Sequence, residues 1–189
     1  MLFRTASDEF GARVHAVSED QWSAPTPDTE WTVADLVKHL IDEHRWMPPL
    51  LHGLDLDSAE KVVAGTRDLP VDGGVGANLA ESWDEAVTAS RAATAEEDAL
   101  QRTVTLSRGD TPAEQYVAEM TFDAIVHAWD LGKAIGYRDP LPDQLVAWAW
   151  EQVPQLGDLA GTGLFAPAVE VPEDAPLVDR LAAATGRRP

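Results

Sequence analysis

A segment bounded by two helix-boundary signals, residues 111–136, constrains the fold of this chain more than any other feature. Thr111, Pro112 and Glu114 are typical of a helix start, as N-cap, first-turn proline and N3 acid, and Gly136 is typical of a helix end. The segment predicts a helix of about 24 residues, or roughly 36 Å. Large apolar side chains occur on nearly every side of it: Met120, Phe122, Ile125, Val126, Trp129 and Leu131. Such a helix is expected to be buried and central.

Other helices are predicted wherever apolar residues recur at helical spacing between proline- and glycine-rich breaks. They cover residues 2–17, 32–51, 77–94 and 142–156, with a short helix at 177–184 in a proline-punctuated, extended tail. Residues 52–78 are polar and glycine-rich and predict a long loop with at most one helical turn. Polar and apolar side chains alternate along residues 102–107, several of them β-branched, which predicts one short strand or an extended loop. The expected fold is an all-α four-helix bundle forming a single domain over residues 1–189.

The second helix has a clear start and an unusual end. Thr32 with Asp35 three residues later resembles a capping box, which marks the first turn. Pro48 and Pro49 are expected to bend or end the helix, because proline removes a backbone donor and clashes with the preceding turn.

Charge and cysteine usage exclude several function classes. Asp and Glu number 33 against 14 Lys and Arg, giving a net charge of −19. This charge repels phosphate backbones and anionic membrane surfaces, so we expect neither nucleic acid nor a membrane as partner. The sequence shows no targeting segment or membrane span, which predicts a cytoplasmic protein. The absence of cysteine excludes zinc–thiolate sites and a cysteine nucleophile from the chain itself.

Two pairs of polar residues on the predicted helices have the composition of a divalent-metal site. Asp123 and His127 lie one helical turn apart, as do His39 and Glu43. Packing of the two helices would bring two imidazoles and one or two carboxylates together, which is a typical metal-ligand set without thiolate. A simple Asp–His hydrogen bond is the structural alternative. Of the other histidines, His44 is expected in the core, and His15 and His52 are expected on the surface or in loops.

Several stretches together resemble a known family. They lie at residues 20–27, 31–40, 123–131, 134–136 and 179–189. A WTVxDLVxH pattern followed along the chain by a DxxxHxWDL pattern is a specific signal for one family, whereas either pattern alone is a weak signal. On these residues the chain resembles the DinB-like and mycothiol-dependent maleylpyruvate isomerase N-terminal superfamily, in its actinobacterial metal-binding branch.

The resemblance implies a DinB-like four-helix bundle with a three-residue metal site formed by His39, Asp123 and His127. The family's isomerase has Glu where Asp123 stands in this chain, and it carries a C-terminal extension domain that 189 residues are too few to hold. Asp130, three residues after His127, is the candidate acceptor for a ligand histidine, with Glu43 as the alternative. A salt bridge from Asp130 to Lys133 or Arg138 is the structural alternative.

The function expected from this resemblance is a metal-dependent enzyme that uses a small thiol, such as a mycothiol-type transferase or isomerase. Zn²⁺ is the expected ion, with Ni²⁺, Fe²⁺ and Mn²⁺ as alternatives. Mycothiol would be the cosubstrate, and an electrophilic small molecule would be the substrate. A homodimer is one possible oligomeric state. Two other functions fit the same ligands: a metal-dependent hydrolase, and a non-catalytic, stress-associated bundle whose site is sealed by Trp129 and Trp46.

Overall fold

The computed structural model describes residues 2–28, 31–67, 75–155 and 165–189. Seven α-helices and one hairpin make up its regular structure apart from isolated 3-10 turns. In chain order these are α1 (Leu2–Val14), α2 (Val33–Leu51), α3 (Leu56–Arg67), α4 (Val75–Thr94), β1 (Thr103–Leu106), β2 (Gly109–Pro112), α5 (Ala113–Ile135), α6 (Asp143–Gln152) and α7 (Leu177–Ala184). Among the described helices, none is long and apolar enough to cross a membrane.

The expected all-α bundle is confirmed. Its four long helices are α1, α2, α4 and α5, in which α2 packs mainly on α4, and α1 mainly on α5. The two pairs meet through contacts of α2 with α5 and of α1 with α4. Helix α5 is the central helix that its pattern predicts, since Ala124, Ile125, Ala128 and Leu131 are all fully buried.

Helix α2 begins with the predicted capping box and passes through its two prolines. The Asp35 N–H donates to Thr32 Oγ1, and the Thr32 N–H donates to the Asp35 carboxylate, both at 3.2 Å. The helix continues past Pro48 and Pro49 to Leu51. The burial of its last turn in a second apolar cluster, around Met47, Leu50 and Leu51, compensates for the missing donors.

The prediction that residues 52–78 form a loop is wrong for most of that range. Helix α3 occupies Leu56–Arg67, and α4 already begins at Val75; residues 68–74 lie outside the described part. Helix α3 contributes only a narrow apolar stripe, Ala59 and Val63, both fully buried. Its N-cap is Asp55, whose carboxylate accepts from the Ser58 N–H at 2.8 Å.

The start of α5 is one residue later than predicted. The stretch after Arg102 forms β1, which pairs antiparallel with β2, so that Thr111 lies opposite Val104 as a strand residue. Pro112 therefore takes the N-cap position, without a side-chain cap. The predicted end is confirmed, because Gly136 adopts a left-handed conformation with φ of 69°.

The C-terminal elements match their predictions closely. Helix α6 covers Asp143–Gln152 and is followed by a 3-10 turn at Val153–Gln155, while the predicted end of this helix at residue 156 lies outside the described residues. Residues 165–176 contain no helix or strand, as expected for an extended tail, and α7 has the predicted limits. Residues 161–164 of the predicted tail are also outside the described residues.

Close approach of α1 to α4 depends on Gly11. A Cβ at this position would lie 2.7 Å from Nε1 of the buried Trp83. We expect Gly11→Ala to lower the free energy of unfolding by about 1–3 kcal/mol, because the indole and its neighbours must shift. Urea unfolding measures this loss. The control is Gly65→Ala in α3, where nothing lies within 4 Å; a gain of about 0.5–1 kcal/mol is expected there. Equal effects of the two substitutions would contradict this account.

Candidate metal centre

Helices α2 and α5 bring the three predicted ligands, His39, Asp123 and His127, to one point. Asp123 lies between the two imidazoles: Oδ2 is 3.4 Å from His39 Nε2, and Oδ1 is 3.3 Å from His127 Nε2. One potential ligand atom from each residue lies within 4.8 Å of the other two. The one-turn spacing of Asp123 and His127 puts both on the side of α5 that meets α2.

The three side chains form a gradient from the core to the surface. The His127 side chain is 4% exposed, Asp123 18% and His39 29%. The inner end of the cluster is thus fixed in the bundle, and the His39 end faces solvent. This is the arrangement expected for a site that a small molecule can reach.

Electrostatics make Asp123 and His127 a strongly coupled pair. Burial alone would lower the pKa of His127, but the charge of Asp123 and hydrogen bonds to Asp123 and Asp130 outweigh it and raise the pKa to about 9. Burial alone would raise the pKa of Asp123, yet the two histidines hold it well below its usual range. Without a metal, the pair is therefore an imidazolium–carboxylate ion pair at neutral pH.

The donor set fits a divalent cation. Asp123 Oδ2 is buried and has no hydrogen-bond partner among the described residues. Such a buried carboxylate oxygen, next to two imidazole nitrogens, leaves electron pairs that a cation would satisfy. Two imidazoles and one carboxylate suit zinc and also bind other transition metals.

Asp130 lies directly behind His127, as predicted for a residue that orients a ligand. Its Oδ2 is 3.0 Å from His127 Nδ1, and its side chain is fully buried. The alternative expectation, a salt bridge from Asp130 to Lys133 or Arg138, is not what the structure shows. Arg187 pairs with Asp130 instead, at 2.9 Å. Burial alone would raise the pKa of Asp130, but hydrogen bonds from His127 and Arg187 hold it below its usual range.

A second acidic cluster adjoins the first and shares His127 with it. Asp28, His127 and Asp130 also have potential ligand atoms within 4.8 Å of one another. In this cluster the guanidinium of Arg187 already bridges the two carboxylates, with Nη2 at 2.9 Å from each. The cluster around His39 is therefore the candidate metal centre.

Glu43, the alternative supporting residue, lies close enough to the site to sense its charges. Burial and the neighbouring Asp123 raise its pKa. It makes no hydrogen bond to either ligand histidine within the described ranges. Asp130, rather than Glu43, thus holds the ring of the candidate ligand His127 in place, and Glu43 adds a carboxyl group beside the cluster.

The remaining histidines lie where the sequence predicts. His44 is in the core, 2.7 Å from Ser90 Oγ, and burial lowers its pKa to about 3. His15 and His52 are exposed and pair with Asp84 and Glu96.

Sequence reasoning missed two neighbours of the cluster. The indole of Trp31 lies against both imidazoles, with ring centroids 4.7 Å from His39 and 5.7 Å from His127. Trp31 is the first residue of the WTVxDLVxH pattern and lies just before α2. Its place in that pattern was the sequence signal that could have indicated a role at the site. The second is Arg187, which lies in the stretch 179–189 that carries the family resemblance but has no role assigned to it there. Of the two tryptophans named as possible seals, Trp129 lies beneath the Lys133 ammonium, and Trp46 packs on the second apolar cluster.

The fold and the cluster together define a class: a DinB-like helical bundle carrying two histidines and a carboxylate on facing helices. Residues 3–132 match the family model of the mycothiol maleylpyruvate isomerase N-terminal domain. The chain belongs to this family. The matched range includes all three candidate ligands and Asp130, and it ends before Arg187.

Two curated relatives are similar to this chain in sequence, and two solved structures are similar to it in fold. Uncharacterized proteins of Mycobacterium tuberculosis, from strains CDC 1551 / Oshkosh and ATCC 25618 / H37Rv, are each 29% identical over 99% of this chain and 96% of theirs. The crystal structure of a mycothiol-dependent maleylpyruvate isomerase has a similar fold, with a TM-score of 0.59 and 18% identity. The crystal structure of a mutant of such an isomerase, in which a histidine is replaced by alanine, has a TM-score of 0.58 and 15% sequence identity. This chain covers 66% of each isomerase chain, and 80% of this chain is matched.

The ion pair makes the stability of the metal-free protein depend on pH. Because folding raises the pKa of His127 from 6.5 to about 9, its contribution is complete below pH 6.5 and is lost as pH rises through about 9. Over this window we expect the free energy of unfolding to fall by on the order of 3 kcal/mol. Urea unfolding with chelator, at about pH 6 and about pH 9.5, measures the fall. His127→Gln should flatten it, and an unchanged slope in that variant would contradict the assignment.

Proposed function

We propose that this protein is a metal-dependent enzyme that uses a small thiol as nucleophile against an electrophilic substrate. The observation that carries the proposal is the cluster of His39, Asp123 and His127, which is buried at its His127 end and open to solvent at its His39 end. Membership of a family named after a mycothiol isomerase supports mycothiol as the thiol. We propose that residues 1–189 form the single domain that carries out this reaction. The proposed location is the cytoplasm.

The chain's own residues would prepare the site in three ways. His127 presents Nε2 as a ligand because its other ring nitrogen lies against Asp130. Asp123 supplies the negative charge that favours a cation, and His39 supplies the ligand at the solvent side. Trp31 covers the two rings and excludes water from one side of them.

The metal would supply acidity and polarisation. Zn²⁺ is the ion proposed, with Ni²⁺, Fe²⁺ and Mn²⁺ as alternatives; when bound, it would lower the pKa of a coordinated thiol. The nucleophilic form of a thiol is the thiolate. Since the chain contains no cysteine, the sulfur must come with a bound molecule.

The test combines metal analysis with a thiol assay. Purified protein should contain about one zinc per chain, and it should accelerate conjugation of mycothiol to a generic electrophile. The rate should fall to background after chelation and return when zinc is added. His52→Ala, at an exposed histidine away from the cluster, is the control and should retain full activity.

Three results would point elsewhere. Zinc-dependent turnover without any thiol would favour the hydrolase. Stoichiometric zinc with no turnover would favour the non-catalytic bundle. Absence of zinc from the protein, even after incubation with it, would overturn the metal centre itself. Oligomeric state is read separately from the solution mass, with a homodimer as the proposed alternative to a monomer.

A further inference from the structure

We propose that Arg187 is a positioning residue of the metal centre, which fixes the ligand His127 through Asp130. The segment around α7 would then be part of the site, although it lies outside the range that matches the family model. This inference rests on the proposed metal centre and deepens it, because it adds a residue that controls metal affinity without touching the metal.

The geometry of Arg187 is that of a built contact. Its Nε lies 3.2 Å from both carboxylate oxygens of Asp130, and Nη2 lies 2.9 Å from Oδ2. Nη2 also donates to Asp28 at 2.9 Å, and Nη1 donates to the Thr185 carbonyl at 2.7 Å. The side chain is only 4% exposed. Charge-assisted bonds of this fork type are both strong and directional.

Arg187 reaches the metal centre through one shared oxygen atom. Oδ2 of Asp130 accepts from Arg187 and also lies 3.0 Å from His127 Nδ1. The guanidinium therefore fixes the rotamer of Asp130, and Asp130 fixes the ring of His127. With Nδ1 as the donor to Asp130, Nε2 keeps its lone pair for a metal on the side of Asp123 and His39.

Removing the guanidinium would leave an unfavourable arrangement behind. Asp28 and Asp130 would face each other without the cation between them, and Asp130 is fully buried. Its carboxylate would lose three of its contacts and would be free to turn away from His127. Loss of a partner that orients a ligand histidine typically weakens metal binding by about 10–100-fold.

The local sequence explains how Arg187 reaches this position. The Gly186 N–H donates to the Ala183 carbonyl, and the Arg187 N–H donates to the Ala182 carbonyl, which is the Schellman ending of a helix. Gly186 has a φ of 83°, and a Cβ there would lie 2.7 Å from the Ala166 carbonyl oxygen. Only glycine allows this turn, which aims the next side chain into the bundle.

The experiment compares Arg187→Gln and Arg187→Lys with Arg188→Gln, the control at the exposed neighbouring residue. Zinc affinity is measured by competition with a chromogenic chelator. We expect a loss of about 10–100-fold for Arg187→Gln, an intermediate loss for Arg187→Lys, and no change for the control. Wild-type affinity in Arg187→Gln would overturn the proposal.

A second readout separates positioning from general stability. In metal-free protein, ¹⁵N NMR of the imidazoles should show a slowly exchanging Nδ1 proton on His127, which Arg187→Gln loses and Arg188→Gln keeps. If Arg187→Gln fails to fold, Arg187→Lys serves instead; it keeps the positive charge but lacks the planar fork, so part of the zinc affinity should be lost and exchange of the Nδ1 proton should be faster. Retention of the proton in a folded Arg187→Gln, or of both the proton and the wild-type affinity in Arg187→Lys, would overturn the proposal.

The metal centre and the role of Arg187 are tested by separate measurements. Absence of zinc binding in the wild-type chain would overturn the proposed function. The imidazole proton of the metal-free protein would still decide whether Arg187 positions His127.

Discussion

Replacing His127 by alanine is expected to abolish stoichiometric zinc binding. Structural zinc sites are worth roughly 10–16 kcal/mol, so one of three protein ligands contributes several kcal/mol. Since each 1.4 kcal/mol is tenfold in affinity, the loss should be on the order of 1,000-fold. His39→Ala should act in the same direction, and less strongly, because His39 lies at the exposed end of the cluster.

Metal content after dialysis against zinc, followed by chelator competition, measures this loss. His52→Ala is the matched control, because it removes an exposed histidine that is also paired with a carboxylate. Circular dichroism separates loss of metal from loss of fold. If His39→Ala and His127→Ala both keep full zinc content, the ligand assignment is wrong.

The second large effect concerns stability. Asp130→Ala is expected to lower the free energy of unfolding by about 3–5 kcal/mol, because it leaves the Arg187 guanidinium buried and without its principal partner. His127 loses its acceptor at the same time. The measurement is urea unfolding in the presence of chelator, so that metal binding does not contribute.

Asp28→Ala is the control for this stability effect. It removes the other carboxylate on Arg187, and its side chain is 32% exposed. We expect a loss of about 1 kcal/mol or less, as for other solvent-screened ion pairs. Losses of equal size for the two aspartates would show that the buried contact is not the dominant one.

The parts of the fold that the sequence predicts are those governed by local chemistry. Gly136 ends α5, and Thr32 with Asp35 starts α2, because each requires only its own neighbours. The all-round apolar pattern of α5 likewise predicts its central place. The one-turn spacing of Asp123 and His127 then predicts half of the candidate site before any tertiary structure is known.

The missed features depend on tertiary contacts or on weak signals. Helix α3 buries only two small apolar side chains, Ala59 and Val63. The spacing of its apolar residues is therefore too weak a signal to distinguish a helix from a loop. Thr111 has good N-cap chemistry, but pairing with Val104 holds it in a strand. Arg187 reaches Asp130 and Asp28 across sequence separations of 57 and 159 residues. No pattern within one helix can reveal such a contact.

The position of Trp31 gives the site an optical reporter of its own. An indole in contact with both imidazoles experiences a different field when the proton of the His127–Asp123 ion pair is exchanged for a doubly charged ion. Its fluorescence is therefore sensitive to loading, and Trp31→Phe isolates this signal from the other tryptophans. Occupancy of the centre thus becomes readable in solution without a label and without any knowledge of the substrate.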